Sequence, residues 1–110
     1  MNLNSGTRPA PSRPDASCLL VHGGAWDIPQ DASEAHLDGL RKAITRGKAL
    51  LLDGGAAFDV VTETVAVLEA HGAFDAGCGA VLTREGTVEL DAGAMDGATL
   101  DWGAVAGVRR

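Results

Sequence analysis

The pattern of apolar and polar positions changes several times along the chain. Cys18-Leu19-Leu20-Val21-His22 is a short apolar run stopped by Gly23-Gly24, which predicts a buried strand ending at an abrupt turn. Trp26 to Gln30 reads as loop, because Pro29 disfavours helix in the residue before it. From Asp31 the period changes. Asp31-Ala32-Ser33-Glu34 has the spacing of a capping box, and Leu37, Leu40, Ile44 and Leu51 follow at helical steps. Asp31, Glu34 and Asp38 lead while Arg41, Lys42, Arg46 and Lys48 trail, the order that complements a helix dipole. Gly54-Gly55 supplies a left-handed stop.

The stretch Ala57 to Ala70 carries conflicting signals. Val60, Val61, Thr62, Thr64, Val65 and Val67 are β-branched and favour strand locally. Val61, Val65 and Leu68 nevertheless fall at i, i+4 and i+7, and the length suits a helix, which is expected to end near His71-Gly72. Gly72 to Gly79 is too rich in glycine for a regular element. Ala80–Thr83 and Thr87–Asp91, flanking Arg84-Glu85-Gly86, predict a β-hairpin with Val88 and Leu90 on one side and Glu89 and Asp91 on the other. Ala92 to Asp101 reads as loop, and Gly103 to Val108 as a strand of small residues. Trp26 and Trp102 are expected to pack at loop edges.

Composition narrows the partners. Nine basic against fifteen acidic residues leave a formal net charge of −6, which counts against nucleic-acid and anionic-membrane partners, since both call for clustered cations. No apolar run approaches the roughly 18 residues of a membrane-spanning helix. Residues 1–17 hold three prolines and two arginines without the apolar centre of a secretory signal, so they are expected to form a disordered leader to a cytoplasmic protein. Cys18 and Cys78 form no CxxC and are expected to be free thiols. Cys18, His22, His36, His71 and Cys78 lack the close spacing of zinc ligands. A cysteine nucleophile at Cys78 needs a histidine brought to it by the fold, His71 being nearest in sequence. Asp91 and Asp96 are read as strand and turn acids in preference to an acid–base pair.

The sharpest short motif is His22-Gly23-Gly24-Ala25-Trp26. A strand ending in glycines can aim bare N–H groups at an anion or oxyanion. The α/β-hydrolases use such a turn, but they also need a GxSxG elbow, and none of Ser5, Ser12, Ser17 and Ser33 sits in one. From these five residues alone, an ordinary strand-end turn and an oxyanion turn both stand.

The ordered series is more specific. His22-Gly23-Gly24-Ala25 is followed by Leu68-Glu69, Phe74-Asp75-Ala76-Gly77-Cys78-Gly79, Val88-Glu89-Leu90-Asp91-Ala92, Met95-Asp96-Gly97 and Gly103-Ala104-Val105-Ala106-Gly107-Val108. From Leu19 to Val108 this resembles the plant-type L-asparaginase / isoaspartyl peptidase family of N-terminal-nucleophile hydrolases. The resemblance implies an α/β (α+β) architecture, an αββα sandwich of which residues 18–110 make the opening, α-subunit part. It also implies autocatalytic exposure of a threonine whose free amine activates its own hydroxyl, acting on L-asparagine or β-aspartyl dipeptides. That threonine is expected further along, in a Gly-Thr-Val-Gly setting. Gly86-Thr87-Val88 is followed here by Glu89, so Thr87 is read as a decoy.

The same resemblance implies supporting roles only. Gly23 and Gly24 would allow close backbone approach near the scissile site. Asp75 stands where many relatives have an asparagine facing the nucleophile, and an ionised carboxylate accepts hydrogen bonds but donates none. Main-chain carbonyls of Leu68, Glu69, His71, Phe74, Ala76 and Cys78 would wrap a structural sodium ion, a hard cation suited to oxygen ligands; no other cofactor is implied. The expected partner is the remaining, β-subunit segment, without which the stretch should be inactive and marginally stable. An exposed apolar patch of about 500 Å² forfeits roughly 12 kcal/mol at about 25 cal/mol per Å², comparable with the stability of a whole domain. Two other functions remain open: a non-catalytic module pairing with a separate β-subunit-like chain, and an α/β-hydrolase fragment using the His22-Gly23-Gly24 turn.

Overall fold

In a computed structural model the described residues are 17–109. The expected leader lies almost wholly outside them. Among them, four regular elements follow a 3₁₀ turn at Gln30–Ala32: helices α1 (Ser33–Leu52) and α2 (Ala57–Ala70), then strands β1 (Glu89–Met95) and β2 (Trp102–Arg109). The content is α+β, with an antiparallel helix pair and a two-stranded sheet.

Helix α1 does not begin at a capping box. Its N-cap is Ala32, with no side-chain cap, because Gln30–Ala32 has already turned as 3₁₀ and Asp31 lies within that turn. The helix ends as the glycine pair requires. Gly54 has φ +83° and donates to the Leu51 carbonyl at 3.3 Å, while Gly55 donates to Leu50 at 2.9 Å. Those are the paired bonds of a Schellman stop.

The buried stripe of α1 is His36, Gly39, Ala43 and Gly47, whereas Leu37 and Ile44 of the expected apolar stripe remain exposed. On α2 the buried residues are Val60, Thr64 and Leu68, and Val61 and Val65 are 44% and 48% exposed. The helices meet through small residues because the backbones come close. A Cβ on Gly47 would strike the Thr64 hydroxyl and a Leu19 methyl, and one on Gly39 would overlap the Phe74 ring. Thr64 satisfies its buried hydroxyl by donating to the Val60 carbonyl at 2.6 Å. Arg46 spans the two helices to Glu63 at 2.7 Å. The core is correspondingly slight: Ala43, Leu68 and Phe74, with Val21, Leu40, Val67, Ala73 and Ala76 against them.

Residues Cys18–His22 do not form a strand. Leu19 and Val21 turn towards the helices while Leu20 is 90% exposed, so the alternation of a strand is present. The hydrogen-bonded neighbour is not, among the described residues. The expected hairpin is likewise displaced. Thr83 and Gly86 close a local turn, Thr83 N–H donating to the Thr87 carbonyl at 2.8 Å, but Ala80–Thr83 is not a strand. Instead β1 runs through the expected loop to Met95 and pairs antiparallel with β2, from Glu89 opposite Arg109 to Met95 opposite Trp102. Small residues with little strand preference are carried into the ladder by this pairing.

A bulge interrupts the register beside Asp91. Gly107 sits at φ +64° and donates its N–H to Asp91 Oδ1 at 2.8 Å. Asp96 caps the β1–β2 turn, accepting from Ala98 N–H at 2.8 Å. Both acids therefore serve the backbone. Trp102 lies in β2 and is exposed, not packed at a loop edge. No described helix is long and apolar enough to cross a membrane.

Candidate functional site

The glycine turn and the loop after α2 share one cleft. His22, Gly23, Gly24 and Trp26 form one wall and Leu68, Phe74, Asp75 and Ala76 the other, around about 180 Å³. The chain folds this way because Gly23 has no side chain: a Cβ there would come within 3.1 Å of Phe74 Cε1 and 3.3 Å of Leu40 Cδ2. Gly24 adopts φ +102°, a conformation closed to most L-residues. Its N–H donates to His22 Nδ1 at 3.0 Å. The expected bare amide at Gly24 is thus engaged, and that bond leaves the proton of a neutral His22 ring on Nε2.

Asp75 closes the other side. Its Oδ1 accepts from Val81 N–H at 2.8 Å, which ties the start of the 80–87 segment to the cleft wall. The 68–79 loop folds tightly on itself. A Cβ on Gly77 would collide with the Glu69 carbonyl, and one on Gly79 with the carbonyls of Phe74 and Gly72. Several main-chain oxygens therefore crowd towards the loop interior. Three of the six expected ligands also accept hydrogen bonds: Leu68 from His71 N–H at 3.1 Å, Glu69 from Cys78 N–H at 2.8 Å, and His71 from Phe74 N–H at 3.3 Å. Each carbonyl keeps a second lone pair, so an oxygen-seeking cation fits this donor set.

The other candidates disperse. The His71 ring is committed to Asp38 Oδ2 at 3.3 Å and to Ala73 N–H at 3.3 Å, and Cys78 is an exposed free thiol. Asp38 also takes Lys42 at 2.6 Å. The hydrogen bonds from the Lys42 ammonium and then the His71 ring hold its carboxyl below the usual range. Among the described residues no three His, Cys, Asp or Glu side chains converge as metal ligands. Thr87 shares a hydroxyl–hydroxyl contact of 2.9 Å with Thr83 inside an exposed turn. The sequence reading missed Trp26, Leu68 and Phe74 as cleft-wall side chains. It also missed His36, buried between the rings of Trp26 and Phe74 at centroid separations of 5.7 and 5.4 Å. The signal that finds His36 is its place in the row with Gly39, Ala43 and Gly47.

The sequence profile of the asparaginase family matches residues 15–110. The chain belongs to this family. It is 49% identical over 92 residues to the "Isoaspartyl peptidase/L-asparaginase" of Danio rerio, covering 84% of the chain and 30% of that protein. It is 46% identical over 95 residues to the "Isoaspartyl peptidase" of Salmonella typhimurium, covering 82% of the chain and 30% of that protein. To the "Plant-type L-asparaginase" of Pyrococcus furiosus it is 46% identical over 91 residues, covering 82% and 29%. The chain thus spans about 30% of the length of these curated relatives. Within the family, the described elements are the His-Gly-Gly turn, the helix pair, the glycine loop and one hairpin.

Proposed function

We propose that this chain supplies part of the scaffold of an amidohydrolase acting on L-asparagine or β-aspartyl dipeptides. The nucleophilic threonine and the groups that grip the substrate come from further polypeptide. The observation that carries the reading is the shared cleft. Family identity runs from the His22-Gly23-Gly24 turn to the Asp75 loop, and the fold brings those two stretches, some fifty residues apart in the chain, to opposite walls of one small cavity.

In this reading the roles follow from the local geometry. Gly23 and Gly24 add no side chains of their own to the wall between His22 and Trp26, so that an incoming backbone segment can approach closely there. Asp75 holds the 80–87 segment through Val81 and presents its remaining oxygen as an acceptor. Leu68, Glu69, His71, Phe74, Ala76 and Cys78 would hold the sodium ion through their carbonyls. Bound there, the ion supplies fixed positive charge that offsets the mutual repulsion of the crowded oxygens.

An apolar groove supports the part given to a partner segment in this reading. A groove of about 730 Å³ between α2 and the sheet is lined by Val61, Val65, Ala66, Met95 and Val105 among others, and its rims leave large apolar side chains in water. In a four-layer sandwich these faces would be covered by the second sheet and its helices.

The test is complementation. The 110-residue chain is co-expressed with a family segment that carries the Gly-Thr-Val-Gly stretch, and ammonia or free aspartate release is followed with L-asparagine and a β-aspartyl dipeptide. Activity in the co-expressed pair and none in either part alone is the expected result. Turnover by the 110-residue chain by itself refutes the division of labour, and a pair that co-purifies without turnover refutes the assigned chemistry.

A further inference from the structure

His36 is buried, with 6% of its surface exposed, in the first turns of α1. Its Nδ1 lies 2.9 Å from the Ala32 carbonyl. A carbonyl can only accept, so Nδ1 carries the proton and the neutral ring presents a lone pair at Nε2. That Nε2 is the buried side-chain nitrogen or oxygen without a hydrogen-bond partner among the described residues. A buried acceptor in this state is disfavoured and calls for a donor.

Two aromatic rings besides the helix surround it. Phe74 stands edge-on at 5.4 Å and has no donor; Trp26 is tilted by 57° at 5.7 Å and carries an indole N–H. Trp26 is itself 57% exposed and belongs to the turn in which Gly24 stands at φ +102°. It also lines the cleft opposite Asp75.

We propose that His36 is a positioning residue for the His22–Trp26 turn, its buried Nε2 being the seat of the Trp26 indole N–H. The two ring centroids already lie 5.7 Å apart, so the indole reaches the seat by rotation about its own side-chain bonds. Proton inventory is unchanged: one N–H donor exchanges solvent for an imidazole lone pair. The inference stands apart from the proposed reaction, since it concerns the shape of the turn and is read without substrate.

The full 110-residue chain, labelled with ¹⁵N, has two indole N–H groups, from Trp26 and the exposed Trp102. Substituting Trp102→Phe assigns them. The expected result is solvent exchange of the Trp26 indole proton at least tenfold slower than that of Trp102, with Trp26 emission shifted to shorter wavelength. His36→Phe keeps a ring but removes the acceptor, and should return Trp26 to the Trp102 rate at unchanged helix content by circular dichroism. His36→Gln, which can accept through its amide oxygen, should retain protection. Equal exchange of the two indoles in the unsubstituted chain overturns the proposal, as a water seated on Nε2 would produce. Protection that survives His36→Phe overturns it too. Should His36→Phe fail to fold, the comparison of the two indoles decides alone.

Discussion

Gly39 in α1 sets two effects of known size against each other. Replacing a mid-helix glycine with alanine stabilises a helix by about 0.8–1.0 kcal/mol through propensity alone. The new methyl would meet the Phe74 ring, with Cζ at 2.8 Å and Cε2 closer. That ring cannot retreat freely. The rings of His36 and His71 flank it at 5.4 and 5.5 Å, and Gly23 lies near on a further side, where an added Cβ would come within 3.1 Å of Cε1. Forcing a methylene into such a place costs about 1–3 kcal/mol. The sum for Gly39→Ala is therefore a loss of about 1 kcal/mol, where propensity alone would give a gain of that size. Urea unfolding followed by far-UV circular dichroism reads the difference. In a Phe74→Leu background the clash is relieved, and Gly39→Ala should become stabilising, a coupling of about 1–2 kcal/mol between the two sites. A full propensity gain for Gly39→Ala in the unsubstituted chain would refute the close approach of α1 to the Phe74 loop.

Three further outcomes are expected. Val65→Glu, on the half-exposed face of α2, should change the stability of the chain by no more than about 0.5 kcal/mol, yet abolish ammonia release in the complemented enzyme; loss of helix content in the isolated chain would contradict this. Asp75→Asn keeps an acceptor for Val81 N–H and gains a donor towards the cleft, so kcat/KM in the complemented enzyme should hold or rise. Asp75→Ala loses the Val81 bond, and a drop of about tenfold is expected, the equivalent of one hydrogen bond; the reverse order of the two variants would remove Asp75 from the site. The Asp38 carboxyl is held low by Lys42 and then His71, so its contribution to stability is complete above the unfolded value near about 3.9 and is lost as pH falls through the lower folded value. Asp38→Asn should flatten the acid limb of the urea midpoint between about pH 5 and 2, and an unchanged limb would show that the contact has no weight.

The two helices could be read from the chain because their determinants are local. Period, length and the Gly54-Gly55 stop all lie within a few residues of the element they define, and Ala57–Ala70 formed despite its β-branched content. Which face of each helix is buried could not be read the same way. Hydrophobicity nominated Leu37, Ile44, Val61 and Val65, whereas contact selected Gly39, Ala43, Gly47 and Thr64, because two helices that pack closely bury what is small between them. The missing strand at Cys18–His22 and the displaced hairpin have a related cause: a ladder needs a second segment, and no property of Ala92–Met95 announces that Trp102–Val105 will pair with it.

The cleft divides along the same line. By itself the order of residues determined the family, since six short blocks in sequence are a one-dimensional property, and it named Gly23, Gly24 and Asp75 as worth placing. Only the tertiary structure decided that the turn and the loop face each other, that Gly24 spends its amide on His22, and that His36 is buried between Trp26 and Phe74 with an acceptor to fill. The bond at Gly24 depends on the φ of a single turn residue, and the other two facts depend on distances between segments far apart in the chain. Such distances are set by how closely α1 and α2 can approach, a quantity fixed by packing and written in no single stretch of sequence.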